Sequence, residues 1–149
     1  MAHLMPRNTA IILIDKYGTN CPFEIAERKG IIIIFESLGG SLGYYTCYKR
    51  IQSIHINDNI DETLQRFVCA HELGHSLLHK SENAPFLKNN TFFSTNKNEV
   101  EANTFAVELL IPDKCIYEFK DTSVTINEVA QTYGVPEEMC NLKKINHIK

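Results

Sequence analysis

At 149 residues, with 44% hydrophobic and 22% charged residues, the chain is too short for two full cores and too apolar for a disordered or fibrous polymer. A formal net charge of −3 excludes broad charge-driven binding to nucleic acid, although Lys143, Lys144 and Lys149 make the tail locally basic. Five widely spaced cysteines without a CxxC pair (Cys21, Cys47, Cys69, Cys115 and Cys140) read as reduced thiols. The apolar run Ala10 to Ile14 stops at Asp15 and Lys16, far short of the ~18 residues of a membrane span. A cytoplasmic protein without membrane attachment is expected.

Residues 8 to 29 read as two short helices broken at Gly18 and Pro22, with Gly30 closing the second. The run IIIIF, Ile31 to Phe35, reads as a β-branched core strand. Beyond Gly39, Gly40 and Gly43, the segments GYYTCY and RIQSIHI pair around Lys49 and Arg50, for a sheet of about three strands. Asn59 and Glu62 have the spacing of a capping box, opening a helix that runs through His79. Along it Ile60, Leu64, Phe67, Val68, His71, His75 and Leu78 share one face, so both histidines point inward with the core. Arg66 lies well around from that face and is read as a salt-bridge residue, and His79 as a surface or capping residue.

Lys80 to Asn98 is a polar loop broken by Pro85, with aromatic spots at Phe86, Phe92 and Phe93 and room for a short strand. EVEANTFAVELLIP, Glu99 to Pro112, is a patterned helix stopped at its proline. Thr125 to Glu128 (TINE) is a capping box opening a helix that ends at Gly134, and Pro136 starts another. This last pair has the spacing of a helix-turn-helix. Its carboxylates Glu128, Glu137 and Glu138, with no lysine or arginine between them, repel phosphate, which favours a structural or substrate-docking role over DNA contact.

The chemistry centres on HELGH, residues 71 to 75. Histidines at i and i+4 lie one turn apart on one face and can offer imidazole nitrogens to one metal ion. Glu72 projects beside that ion, placed to take a proton from activated water and pass it to a leaving amine. The competing explanation is a helix that buries two core histidines. A catalytic zinc usually takes three protein ligands, and the next helix offers Glu99 and Glu101. Glu99, Asn103, Ala106 and Leu110 share a face, whereas Glu101 aligns with Glu108 as a solvated stripe. Glu99 is therefore the expected ligand, and Asn103 can accept the free ring N–H of a ligand histidine. Glu99→Gln is expected to lose zinc and Glu101→Gln to keep it. Tyr44, Tyr45 and His55 are open alternatives for stabilising the transition state, and the hairpin edge is suited to holding an extended peptide.

RFVCAHELGHSLLH followed by EVEANTFAVELLIP resembles the ImmA/IrrE family of zinc metallopeptidases, over residues 8 to 142. The resemblance implies a gluzincin-like site: one catalytic zinc ion (Zn2+) on His71, His75 and Glu99, Glu72 as base, and Asn103 where relatives keep an orienting acid or amide. It implies an α+β, zincin-like minimal metallopeptidase with a small three-stranded sheet, the HExxH helix, a second ligand helix and a C-terminal helical region. Residues 1–112 are expected to form the peptidase core and 113–149 to pack on it as one compact monomer. The implied activity is site-specific endopeptidase cleavage of a helix-turn-helix repressor of a prophage or integrative element. The alternatives are a non-catalytic antirepressor and a toxin–antitoxin partner that bind such a repressor. Ile111 stands where many relatives carry methionine, a volume-conserving change expected to be neutral.

Overall fold

The computed structural model describes residues 5–80 and 86–143; Pro85, Lys144 and Lys149 lie outside them. Helix α1 (Pro6–Tyr17) starts on a proline and ends at Gly18, whose φ of 68° lets its N–H reach Ile14 O without the Cβ clash another residue would meet. Helix α2 (Pro22–Arg28) also begins on a proline, where the missing N–H costs nothing. Strands β1 (Ile32–Glu36), β2 (Gly43–Tyr48) and β3 (Ile51–Asn57) form a sheet in the order β1-β3-β2. β1 runs parallel to β3, and β2 antiparallel to it. Lys49 and Arg50, at φ 49° and 67°, make the tight turn of the β2–β3 hairpin as a pair of left-handed residues, matching the twist of the strands.

Ile54 and Ile56 on the central strand are fully buried. Gly43 pairs with Ile56, and a Cβ on Gly43 would meet Val68 at 2.5 Å, so this sheet face lies on the helix that carries Val68. The IIIIF run is not a core strand throughout. Ile31, just before β1, is buried, whereas Ile32 and Phe35 are about half exposed because β1 is a sheet edge and its pleat sends Ile32 to the side opposite Ile54.

Helix α3 (Glu62–Leu78) is capped by Asp61, which accepts the Leu64 N–H at 2.8 Å. The expected cap, Asn59, is instead held in the preceding turn, where Asn57 Oδ1 accepts its N–H. From Phe67 to Ser76 every residue of α3 is buried, so the helix is enclosed on all sides and not only along the face its periodicity marks. The anticipated short strand in the loop is a single antiparallel bridge: Leu87, fully buried, donates to Gly43 O and accepts from Leu42 N–H. A 3-10 turn follows at Asn89–Phe93.

Helix α4 (Lys97–Leu110) starts two residues before Glu99, because Asn96 caps it by accepting the N–H groups of Asn98 and Glu99. It packs along α3 and α1. Helix α5 (Asp113–Glu118) follows Pro112, and α6 (Ile126–Thr132) opens on the expected Thr125–Glu128 capping box. After Gly134 the described residues form a 3-10 segment, Glu137–Leu142, packed on α4 and α6. The second helix of a helix-turn-helix is therefore not formed there: a short 3-10 run docked on a neighbouring helix cannot enter a groove. No helix among the described residues is long and apolar enough to cross a membrane.

Candidate metal centre

His71 and His75 stand one turn apart on the buried middle of α3, with their Nε2 atoms 3.1 Å from each other. Glu99, in the first turn of α4, turns its carboxylate onto both: Oε2 is 3.2 Å from His71 Nε2 and Oε1 is 3.1 Å from His75 Nε2. The two helices can approach this closely because Gly74 lies at their contact. A Cβ there would sit 2.9 Å from Phe105 Cδ1 and 3.4 Å from the Ala102 backbone. Glu99 is only 5% exposed, so it is a buried group and not a solvated one.

Counting the protons shows what the cluster requires. A neutral imidazole has one N–H. That of His71 is spent on Asn103, whose Oδ1 lies 2.7 Å from Nδ1. On His75, Nδ1 lies 3.0 Å from His79 Nδ1, and His79 Nε2 lies 3.0 Å from a Glu101 carboxylate oxygen. Because the carboxylate only accepts, His79 donates to it and accepts from His75. Both Nε2 atoms then present bare lone pairs to each other and to Glu99. The two nitrogens and the two Glu99 oxygens, one facing each ring, lie at 3.1 to 3.2 Å, close to the edge of a tetrahedron with ~2.0 to 2.1 Å bonds, which is roughly 3.3 to 3.4 Å.

The carboxylate oxygens of Glu72 and Glu99 are buried and have no hydrogen-bond partner among the described residues, an arrangement that native interiors rarely leave without a reason. Burial pushes the Glu99 carboxyl up, but hydrogen bonding to the facing His71 and His75 rings, and then their charge, outweighs it and holds the group down to about 2. With the ring protons spent on Asn103 and His79, the two bare nitrogens and the Glu99 carboxylate form a donor set that a divalent cation would balance. The residues fit one. Glu72 also reaches the imidazoles: its ligand atom and theirs lie within 4.8 Å of one another. It is fully buried, and burial, with Glu99 nearby, pushes it up to about 8 against the opposing pull of His75. Of the two acids, Glu99 has the ligand's spacing and Glu72 stands beside it, able to hold or release a proton near neutrality.

Several other assignments change. His79 is not a surface residue: it is 8% exposed and links His75 to Glu101. The solvated stripe does not exist either. Glu101 faces His79, and Glu108 is 3% exposed in an ion cluster with Arg7 and Lys143. The i, i+4, i+8 row His71, His75, His79 was a signal for this, since a third imidazole on a buried helix face needs partners. Arg66 makes no ion pair among the described residues.

The pleat separates the three residues offered as transition-state stabilisers. Tyr45 lies on the α3 side of the sheet and accepts a hydrogen bond from Gln52 at 2.7 Å. Tyr44 and His55 are stacked at 4.2 Å on the opposite side, with His55 engaged by Glu36 and Ser53, and so are directed away from the imidazole pair. A cavity of about 830 Å³ bordered by Phe23, Phe35 and Arg66 includes none of the ligand cluster.

Comparison with known proteins agrees with this geometry. The IrrE N-terminal-like domain, a peptidase family, matches residues 26–143. The chain is 45% identical over 138 residues to a Bacillus phage phi105 protein named "Uncharacterized immunity region protein 2", covering 92% of this chain and 87% of the relative. It is 38% identical over 135 residues to "Metallopeptidase ImmA" of Bacillus subtilis (strain 168), covering 88% and 79% respectively. The chain belongs to the ImmA/IrrE family of metallopeptidases.

Proposed function

We propose that the protein is a zinc-dependent, site-specific endopeptidase that cleaves a helix-turn-helix repressor of a prophage or integrative element and so releases the element's genes. The observation that carries this reading is the unbalanced cluster: two bare imidazole nitrogens and an ionised Glu99 converge at 3.1 to 3.2 Å, with an unpartnered Glu72 beside them. A divalent cation held by His71, His75 and Glu99 supplies Lewis acidity. Glu72 takes a proton from water as the water oxygen bonds to the scissile carbonyl carbon, and gives that proton to the amine nitrogen as the C–N bond breaks. The burial that pushes its carboxyl up to about 8 places its affinity for that proton near the working pH. Asn103 keeps the His71 ring in one orientation. The mobile-element context is supported by the phage relative, which is named as an immunity region protein.

Substrate binding is assigned to the sheet edge. β2 is a terminal strand, and Gly43 O already accepts a strand-like hydrogen bond from Leu87. The Tyr45 and Cys47 backbone groups, which alternate with Gly43 along the same edge, are oriented to continue that pairing with an extended peptide.

The test is Glu72→Gln, in the full chain co-expressed with the helix-turn-helix repressor encoded beside it. Zinc content and fold are expected to be retained while repressor cleavage falls about 10²- to 10⁴-fold. Cleavage at the wild-type rate removes Glu72 as the base. Derepression that persists without cleavage identifies a non-catalytic antirepressor, and growth arrest relieved by the neighbour identifies a toxin–antitoxin pair.

A further inference from the structure

We infer that His79 and Glu101 are positioning residues for the metal centre, forming a directional hydrogen-bond relay that fixes the tautomer and raises the donor strength of His75. The inference deepens the metal-centre reading and rests on it.

With both rings neutral, the direction follows from donor and acceptor chemistry. Glu101 Oε1 is 3.0 Å from His79 Nε2, and a carboxylate accepts. His79 therefore carries its proton on Nε2 and presents a lone pair at Nδ1. Three ångströms away, His75 Nδ1 must be the donor, because two bare nitrogens would repel. This leaves His75 Nε2 bare toward Glu99 and His71. With both rings neutral, any other proton placement breaks one of these hydrogen bonds; an imidazolium at His79 would keep them, but it would put the His75 proton on Nε2, facing Glu99, where no metal could bind. His79 is 8% exposed and the Glu101 side chain 13%, so water does not readily replace a lost partner.

The two ligand histidines are thus held differently. His71 leans on a neutral amide, Asn103, whereas His75 is connected through a second imidazole to a carboxylate. A negative charge at the far end of a polarised chain makes the near nitrogen a stronger donor, and such outer partners typically change metal affinity 10- to 100-fold. All three supports come from α4: Glu99 on the cluster, Asn103 behind His71, and Glu101 behind His75 through His79. The expectation that Glu101 has no part in metal binding is thereby replaced. Glu101 is not a ligand, but it orients one.

The experiment measures zinc affinity of the full-length protein by competition with a chromogenic chelator, and the visible absorption bands of the cobalt(II)-substituted form. Glu101→Gln and His79→Leu are each expected to weaken zinc about 10- to 100-fold and to shift the cobalt bands. His79→Gln, whose amide can accept from His75 and donate to Glu101, is expected to recover part of the loss. Zinc affinities within twofold of wild type in the first two variants, with unchanged cobalt bands, overturn the relay. So does a folded His79→Gln no better than His79→Leu, since packing alone would then account for His79.

Should the wild-type protein bind neither metal, the metal-centre reading fails instead. The relay is then judged by nitrogen NMR of the histidine rings, which is expected to show His79 protonated on Nε2 and His75 on Nδ1. The reverse pattern overturns it.

Discussion

Helix α4 carries a buried glutamate near each end, and the two have opposite surroundings. Glu108, 3% exposed, accepts from Arg7 Nη1 at 2.7 Å and from Lys143 Nζ at 2.6 Å, and both cations also contact Asp113. Among the described residues, two positive and two negative side chains meet in this cluster. Glu99, 5% exposed, faces two imidazoles that spend their protons elsewhere, and its oxygens find no hydrogen-bond partner among the described residues. Burial does not separate the two glutamates, but charge balance does. The cluster that closes on itself joins α1, α4, α5 and the C-terminal segment, while the one left open is built for a cation from outside.

The contrast is most sharply broken at Glu99. Glu99→Gln is expected to abolish zinc binding and reduce peptide cleavage to background with the fold intact, by metal analysis and circular dichroism; retained stoichiometric zinc would deny Glu99 its place as a ligand. At the other end, Lys143→Met removes the cation that contacts both Glu108 and Asp113, and should cost about 3 kcal/mol in urea unfolding with zinc affinity unchanged. A coupled loss of zinc affinity would show that the clusters are not independent.

Gly74→Ala tests the helix contact between them. The added methyl must displace Phe105, for an expected loss of about 1 to 3 kcal/mol together with weaker zinc binding as Glu99 is pushed away; unaltered stability would mean that the contact yields freely.

The smallest effect is at Asp113, whose side chain is 42% exposed. Burial pushes its carboxyl up, but hydrogen bonds from Arg7 and Lys143 outweigh this and leave it below its ordinary value. A depressed value stabilises the fold above roughly pH 3.9, the unfolded reference, and is lost as pH falls through the folded one. Asp113→Asn should therefore cost less than about 1 kcal/mol at pH 7, given solvent screening, and the gap to wild type should narrow at pH 3. A gap that widens in acid would assign the shift the wrong sign.

Much of the site was legible because it is local. The pairing of His71 with His75 follows from the helical repeat, and Glu99 and Asn103 share a face by the same rule. The capping box at Thr125 and the hairpin across Lys49 and Arg50 are also short-range patterns, and both form. The errors occur where a residue's partner is distant in sequence. Glu101 and Glu108 align on a wheel as a surface stripe, yet the partners that bury them are His79, Arg7 and Lys143. Asn59 has the spacing of a cap, but the turn made by Asn57 claims its N–H first. Tyr44 and Tyr45 alternate, as any strand requires, and only the packing of Gly43 on Val68 determines which of them lies toward the helix.

By itself, the sequence determined which residue types sit one turn apart, where chain direction must change, and that a helix bearing two inward imidazoles exists. These depend on backbone geometry within a few residues, which side-chain pattern reports directly. Tertiary structure alone decided which lone pairs remain without a proton. That outcome depends on where every nearby donor is spent, and the donors of this centre come from segments that meet only when α4 docks on α3.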